Sequence, residues 1–183
     1  MDFTRRGFLG TASLAVASLA IARPAMAAVG APRKLELHNI HTGESFATTY
    51  WADGAYVPGA MAGIRKVLRD HRDGSEHDID PRLLDLLAAL RGRLDTTARY
   101  EVISGYRSPH SNGLMHKASS GVAKRSLHME GRAIDIRVPG RDLKLVHKAA
   151  LALKSGGVGY YPKNDFVHVD CGKVRHWGGT RDV

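Results

Sequence analysis

The sequence predicts a single α+β domain with a largely antiparallel sheet flanked by helices. Three observations carry that expectation. Apolar and polar residues alternate with strand periodicity near 34–40, 100–104, 132–138 and 166–170, whereas helical spacing is confined to three stretches. The order is a hairpin, then helices, then strands with one helix interposed, unlike the βαβ repeat that builds a parallel sheet. Finally, 183 residues with 43% hydrophobic and 25% charged side chains suit one globular domain and exclude a disordered chain.

Taken in order, Lys34 to Ile40 alternates as a strand, His41-Thr42-Gly43 reads as a turn, and Ser45 to Trp51 is the returning strand of a hairpin. From Gly59 to Arg72, the apolar residues Met61, Ile64, Val67 and Leu68 have helical spacing. Asp80-Pro81 supplies an N-cap followed by proline at the first helical position, and the helix it opens carries Leu83, Leu84, Leu86, Leu87, Leu90 and Leu94. Tyr100 to Ser104 is a short strand. Residues 105–128 show no periodicity and read as one long loop, a length that in compact domains usually belongs to a site. Arg132 to Val138 is a strand with Ile134 and Ile136 on one face, and Asp142 to Lys154 is a helix through Leu145, Val146, Ala149, Ala150 and Leu153. Gly157 to Tyr161 and Phe166 to Asp170 complete the sheet.

Residues 1–27 are read apart from the domain at 28–183. Arg5-Arg6 precede an uncharged apolar run from Phe8 to Ala22, and Ala25-Met26-Ala27 has the small-x-small pattern of a cleavage site. The run is short and rich in Ala, Ser and Gly, which argues against a stable membrane span. The paired arginines resemble a Tat signal, with an ordinary Sec signal or an uncleaved anchor as the alternatives. Export would place the protein in the periplasm. The formal charge of +9 suits an anionic polymer such as cell wall, a membrane surface or nucleic acid. No arginine run interleaved with aromatics is present, so no nucleic-acid partner is expected. A lone Cys171 excludes an internal disulfide.

Strand phase locates the chemistry. In Ala133-Ile134-Asp135-Ile136-Arg137 the isoleucines take one face, leaving Asp135 on the other; in Phe166-Val167-His168-Val169-Asp170 the valines leave His168 opposite. If the two strands pair, Asp135 and His168 converge. His128 lies seven residues before Asp135, with Gly131 between them to allow a bend. Two imidazoles and a carboxylate suit a catalytic zinc with its fourth position open. Asp165 sits three residues before His168 at the end of a turn (Tyr161 to Asp165), from which its carboxylate can swing back to take a proton from water. A second reading takes His168-Val169-Asp170 as the start of a facial triad for non-haem iron, with His176 as its third member. Cys171 should point away from the site by strand phase.

Ser126-Leu127-His128-Met129-Glu130-Gly131-Arg132-Ala133-Ile134-Asp135 resembles the SxHxxGxAxD motif of the LAS metallopeptidases, a group that takes in D-alanyl-D-alanine peptidases, phage endolysins and the hedgehog fold. Asp165-Phe166-Val167-His168 is similar to that family's second signature, and Ser104-Gly105-Tyr106-Arg107-Ser108 to its upstream arginine stretch. The resemblance runs over about residues 33–178 and extends to the family's exported murein endopeptidases. It implies His128, Asp135 and His168 as Zn²⁺ ligands, Asp165 as general base, and Arg107 as the group that steadies the carbonyl or developing oxyanion. Ser126 is a candidate substrate contact, with a local backbone role as the alternative. The implied substrate is the peptide stems of peptidoglycan (murein), cut at cross-links, among them direct diaminopimelate-to-diaminopimelate bonds. A carboxypeptidase that trims a terminal residue and a non-catalytic zinc domain that binds cell wall stay open, as does the oligomeric state.

Overall fold

The alternation of Leu35 and Leu37 with Glu36 and His38 yields β1 (Arg33–Asn39), with both leucines buried. This computed structural model describes residues 30–119 and 121–178; the export signal expected at 1–27 lies outside the described residues. Gly43, at a left-handed φ of 72°, turns the chain into β2 (Ser45–Ala52), which pairs antiparallel with β1. A two-residue β3 (Ala55–Tyr56), which alternation did not reveal, pairs onto β2.

Helix α1 (Pro58–Val67) stops short of the expected Arg72. The physical reason is competition for backbone groups. The Leu68 carbonyl accepts from the Tyr106 N–H at 2.7 Å, and the buried Asp70 carboxylate accepts the N–H groups of Arg72 at 3.0 Å and Ser108 at 2.9 Å. Helix α2 (Pro81–Arg93) begins where Asp80 accepts the Arg82 N–H at 2.9 Å, and it buries Leu83, Leu84, Leu86, Leu87 and Leu90. Each fully buried leucine stabilises the fold by about 1.5–3 kcal/mol relative to exposure.

After β4 (Tyr100–Ser104) the expected loop gives way to a helix, α3 (Pro109–Ala118). Ser108 caps it, its Oγ accepting the Ser111 N–H at 3.1 Å, and Pro109 takes the first position. The helix buries only Ser111 and Asn112 and exposes Leu114, so it has no apolar stripe for periodicity to detect. A 3-10 turn (Leu127–Glu130) leads into β5 (Ala133–Arg137). Helix α4 (Leu143–Leu153) follows, capped by Asp142; Val146, Ala149 and Ala150 face inward, while Leu145 is exposed. Then come β6 (Gly157–Tyr161), a second 3-10 turn (Pro162–Asn164), β7 (Phe166–Asp170) and β8 (Arg175–Gly178). No strand was expected at β8.

The eight strands form one sheet in the order β3-β2-β1-β4-β5-β7-β6-β8. Only β1/β4 and β6/β8 are parallel, so the sheet is largely antiparallel, as expected. Helices α1, α2 and α4 pack against it and share one apolar core with Leu35, Leu37, Val102, Ile134, Ile136, Val167 and Val169. Among the described residues, no helix is long and apolar enough to cross a membrane.

Candidate metal centre

The register of β5 against β7 puts Asp135 directly opposite His168. Since Ile134, Ile136, Val167 and Val169 point to the core, these two polar side chains point to the other face. His128 arrives from the 3-10 turn, which ends at Gly131 with φ 63°. A Cβ there would stand 2.1 Å from the Asp78 carbonyl oxygen, so glycine is needed for both the backbone angle and the close approach. The bend it allows joins His128 to the strand that carries Asp135.

The three side chains converge closely. His128 Nε2 lies 3.2 Å from His168 Nδ1 and 3.3 Å from Asp135 Oδ1, and His168 Nδ1 lies 2.8 Å from the same oxygen. Ligands about 2.0–2.1 Å from a tetrahedral ion stand roughly 3.3 Å apart, so the triangle has the size of one tetrahedral face. The far side of each ring is also engaged. His128 Nδ1 is 2.7 Å from the Gly105 carbonyl, and His168 Nε2 is 3.1 Å from Asp170 Oδ2. A carbonyl only accepts, so His128 turns its Nδ1–H outward and its Nε2 lone pair inward, and the Asp170 carboxylate likewise favours a proton on the outer Nε2 of His168. Once His168 Nδ1 gives up the proton it shares with Asp135 Oδ1, three acceptors face one point. That donor set fits a divalent cation.

Charge tells the same story. Burial alone would raise the Asp135 carboxyl, but His128 and His168 hold it far below the ordinary carboxylate range. Burial pushes the His128 imidazole down, with Asp135 opposing. Burial also works against charge on His168, yet its hydrogen bonds to Asp135 and Asp170 win and raise it. A buried carboxylate beside two rings calls for positive charge, as a proton or as a metal ion.

Arg107 belongs to this cluster. It is 6% exposed, and its Nη2 lies 3.5 Å from Asp135 Oδ2 and donates to Ser104 Oγ at 3.3 Å. Its Nη1 donates to Asn112 Oδ1 at 3.4 Å, which ties it to the unexpected helix α3. Nε is buried without a partner. Arg107, Ser126, His128, Asp135 and His168 line a cleft of about 440 Å³, walled also by Tyr161 and Trp177. Ser126 caps the 3-10 turn, its Oγ accepting the His128 N–H at 3.4 Å, so its present partner is local backbone.

Asp165 is not brought into the triangle. It closes the second 3-10 turn at φ 54°, its side chain is 63% exposed, and Oδ2 accepts from Arg137 Nη1 at 2.8 Å. Arg137 lies two residues along β5 from Asp135 and so shares its face, which keeps Asp165 on the same side of the sheet. The iron reading loses its third ligand. His176 on β8 is exposed and alternates with Trp177, whose ring lies 5.1 Å from that of His168, so His176 faces away. Cys171 is buried, its Sγ 3.6 Å from the Arg132 carbonyl, outside the cluster as strand phase predicted.

Sequence reasoning passed over Asp170. Its carboxylate accepts from Gly157 and Gly172 N–H, from both terminal nitrogens of Arg175 and from His168. The signal was its i+2 spacing from His168, which strand phase puts on the same face; the iron reading absorbed it as a ligand.

Comparison with known proteins points one way. Residues 27–177 match the family model described as peptidoglycan L,D-endopeptidase MepK. The peptidoglycan L,D-endopeptidase MepK of Escherichia coli (strain K12) is 40% identical over 178 residues, covering 96% of this chain and 98% of that protein. That of Shigella flexneri matches equally. The probable peptidoglycan L,D-endopeptidase MepK of Haemophilus influenzae is 38% identical over 173 residues, 94% of this chain and 93% of its own length.

Proposed function

The chain belongs to the peptidoglycan L,D-endopeptidase MepK family, and from that premise we propose that it is a zinc-dependent endopeptidase that hydrolyses L,D bonds in the peptide cross-links of murein. The observation that carries the metal is the inward-facing triangle of His128 Nε2, Asp135 Oδ1 and His168 Nδ1 in the floor of a cleft. His128, Asp135 and His168 would hold the ion, which supplies Lewis acidity when bound.

The rest of the chemistry falls to the chain. The cleft admits the peptide along Tyr161 and Trp177. Arg107, buried and permanently charged, donates to the scissile carbonyl oxygen as negative charge develops there. Ser104, Asn112 and Asp135 fix its guanidinium in advance. Asp165 leaves Arg137, takes the proton of the attacking water and returns it to the leaving amine. Its exposed position in a turn leaves that rotation free. Ser126, at the rim, is available to a substrate carbonyl or amide. Asp165→Asn should lower kcat by roughly 10²–10⁴-fold, the usual worth of a general base, with metal content unchanged.

The N-terminal 27 residues, with Arg5-Arg6 before an apolar run, support export by the Tat route and action of the 28–183 domain in the periplasm. Replacing Arg5 and Arg6 by lysines should leave the protein inside the cell if the Tat route is used. For the reaction itself, zinc-loaded protein is incubated with defined muropeptide dimers and monomers, and products are resolved by mass beside His128→Ala. Splitting of dimers with intact monomers is expected. Trimming of monomers alone would make the enzyme a carboxypeptidase, and no product from either would overturn the proposal.

A further inference from the structure

Asp170 is wholly buried and receives five hydrogen bonds, yet it contributes nothing to the core and is no part of the donor triangle. Its surroundings are built for a carboxylate. Oδ1 accepts the N–H of Gly157 at 3.0 Å, the N–H of Gly172 at 2.8 Å and Arg175 Nη1 at 3.1 Å. Oδ2 accepts Arg175 Nη2 at 2.7 Å and faces His168 Nε2 at 3.1 Å. The space exists because both neighbours are glycines: a Cβ on Gly157 would stand 2.4 Å from Oδ2, and one on Gly172 2.9 Å from Oδ1. Arg175 is held in turn by the Trp177 ring, 4.9 Å beneath its guanidinium. The return from β7 to β8 thus presents one acceptor oxygen to the outer nitrogen of His168.

We propose that Asp170 is a positioning residue: it holds His168 in the Nε2–H tautomer, so that the Nδ1 lone pair is turned toward the metal, and Arg175 holds Asp170 in that pose. The inference rests on the metal centre proposed above and assigns a role to residues outside its ligand set. A free imidazole distributes its proton over both nitrogens, and the tautomer with Nδ1–H aims a proton where the cation should sit. Asp135 Oδ1, 2.8 Å from Nδ1, favours that second tautomer, and the fixed acceptor at Nε2 opposes it and sets the ring plane.

The geometry makes Asp170→Asn a sharp test. Two backbone N–H groups point at Oδ1, so the amide oxygen of an asparagine would settle there and its NH₂ would face His168 Nε2. A donor at Nε2 demands the opposite tautomer. Two readouts follow in the full chain: Zn²⁺ affinity by chelator competition, and the ¹⁵N shifts of the His168 ring in the metal-free protein, read at a pH high enough for that ring to be neutral. Asp170→Asn should show Nδ1–H in place of Nε2–H and bind Zn²⁺ on the order of 10–100-fold more weakly than wild type. Arg175→Met, on an exposed edge strand, should keep the Nε2–H tautomer and weaken Zn²⁺ by a smaller factor. An Asp170→Asn protein with wild-type tautomer and affinity overturns the proposal. Should that variant not fold, Arg175→Met with undiminished affinity overturns it instead. Failure of the wild type itself to bind Zn²⁺ would sink the metal centre, and is distinguishable from both.

Discussion

Strands β5 and β7 share one hydrogen-bonded ladder but have two unlike faces. On the helix side Ile134, Ile136, Val167 and Val169 are 0% exposed. On the cleft side Asp135, His168 and Asp170 are buried almost as deeply, at 6%, 9% and 0%. Burial stabilises the first face in proportion to apolar area removed from water. On the second it works against folding, because charge loses hydration there and must be matched by a partner or a cation. Equal burial therefore has opposite energetic signs across one backbone. The apolar face holds the strands rigid, and the polar face uses that rigidity to keep Asp135 and His168 2.8 Å apart.

Three measurements would break or sharpen this contrast. The largest effect is expected from a crossed pair of variants. His128→Ala should weaken Zn²⁺ on the order of a thousandfold, about 4 kcal/mol by the usual conversion, while its metal-free thermal midpoint changes little. Ile134→Ala should lower stability by about 2–5 kcal/mol through its lost contacts and cavity, and the fraction still folded should bind Zn²⁺ as wild type does. If Ile134→Ala destroyed metal binding without loss of stability, the two faces would not be separable.

Next in size is the linkage between metal and fold. Zn²⁺ at a thousandfold excess over its dissociation constant should stabilise the native state by about 4 kcal/mol if it does not bind the unfolded chain. The thermal midpoint should rise on loading, fall again with a chelator, and show neither change in His128→Ala. An unchanged midpoint in the wild type would mean that the polar face is balanced without an ion.

The smallest effect separates His168 from a histidine that lacks such partners. His71 is half-buried and stacked on His41 with ring centroids 3.9 Å apart. Burial, then Arg72 and His41, push its pKa down to about 4, whereas that of His168 is raised. With the folded value below the unfolded 6.5, the unfolded chain takes up the proton first. The contribution of neutral His71 is thus complete above pH 6.5 and is lost as pH falls toward 4. Allowing for solvent screening, the loss should be on the order of 1 kcal/mol. His71→Gln should flatten that part of the acid limb of a stability–pH curve, and an unaltered limb would contradict the assignment.

Much of this architecture was legible in the chain. Alternation at Leu35 and Leu37, the leucine run behind Asp80-Pro81 and the phase of Ile134 and Val167 each report a side chain meeting a flat or helical apolar surface, which is a local demand. Asp135 and His168 were legible for the same reason, as polar exceptions inside apolar strands. Helix α3 was not: it has no apolar stripe, and its start was marked only by Ser108-Pro109. The early end of α1 depends on Tyr106 and Ser108 claiming backbone and carboxylate acceptors across 38 positions, which no local window contains. Strand β8 is four residues pairing in parallel with β6, too short to show a period.

What the amino-acid order determined by itself is the set of donors and the face on which each strand residue lies, because side-chain direction follows from backbone period alone. What only the tertiary structure decided is how those donors are oriented and held. The Asp135–His168 register, the Gly105 carbonyl behind His128, the Asp170 carboxylate behind His168 and the Arg137 partner of Asp165 all join residues distant in sequence. Their geometry is set by packing of the whole sheet, and short-range periodicity carries no information about it.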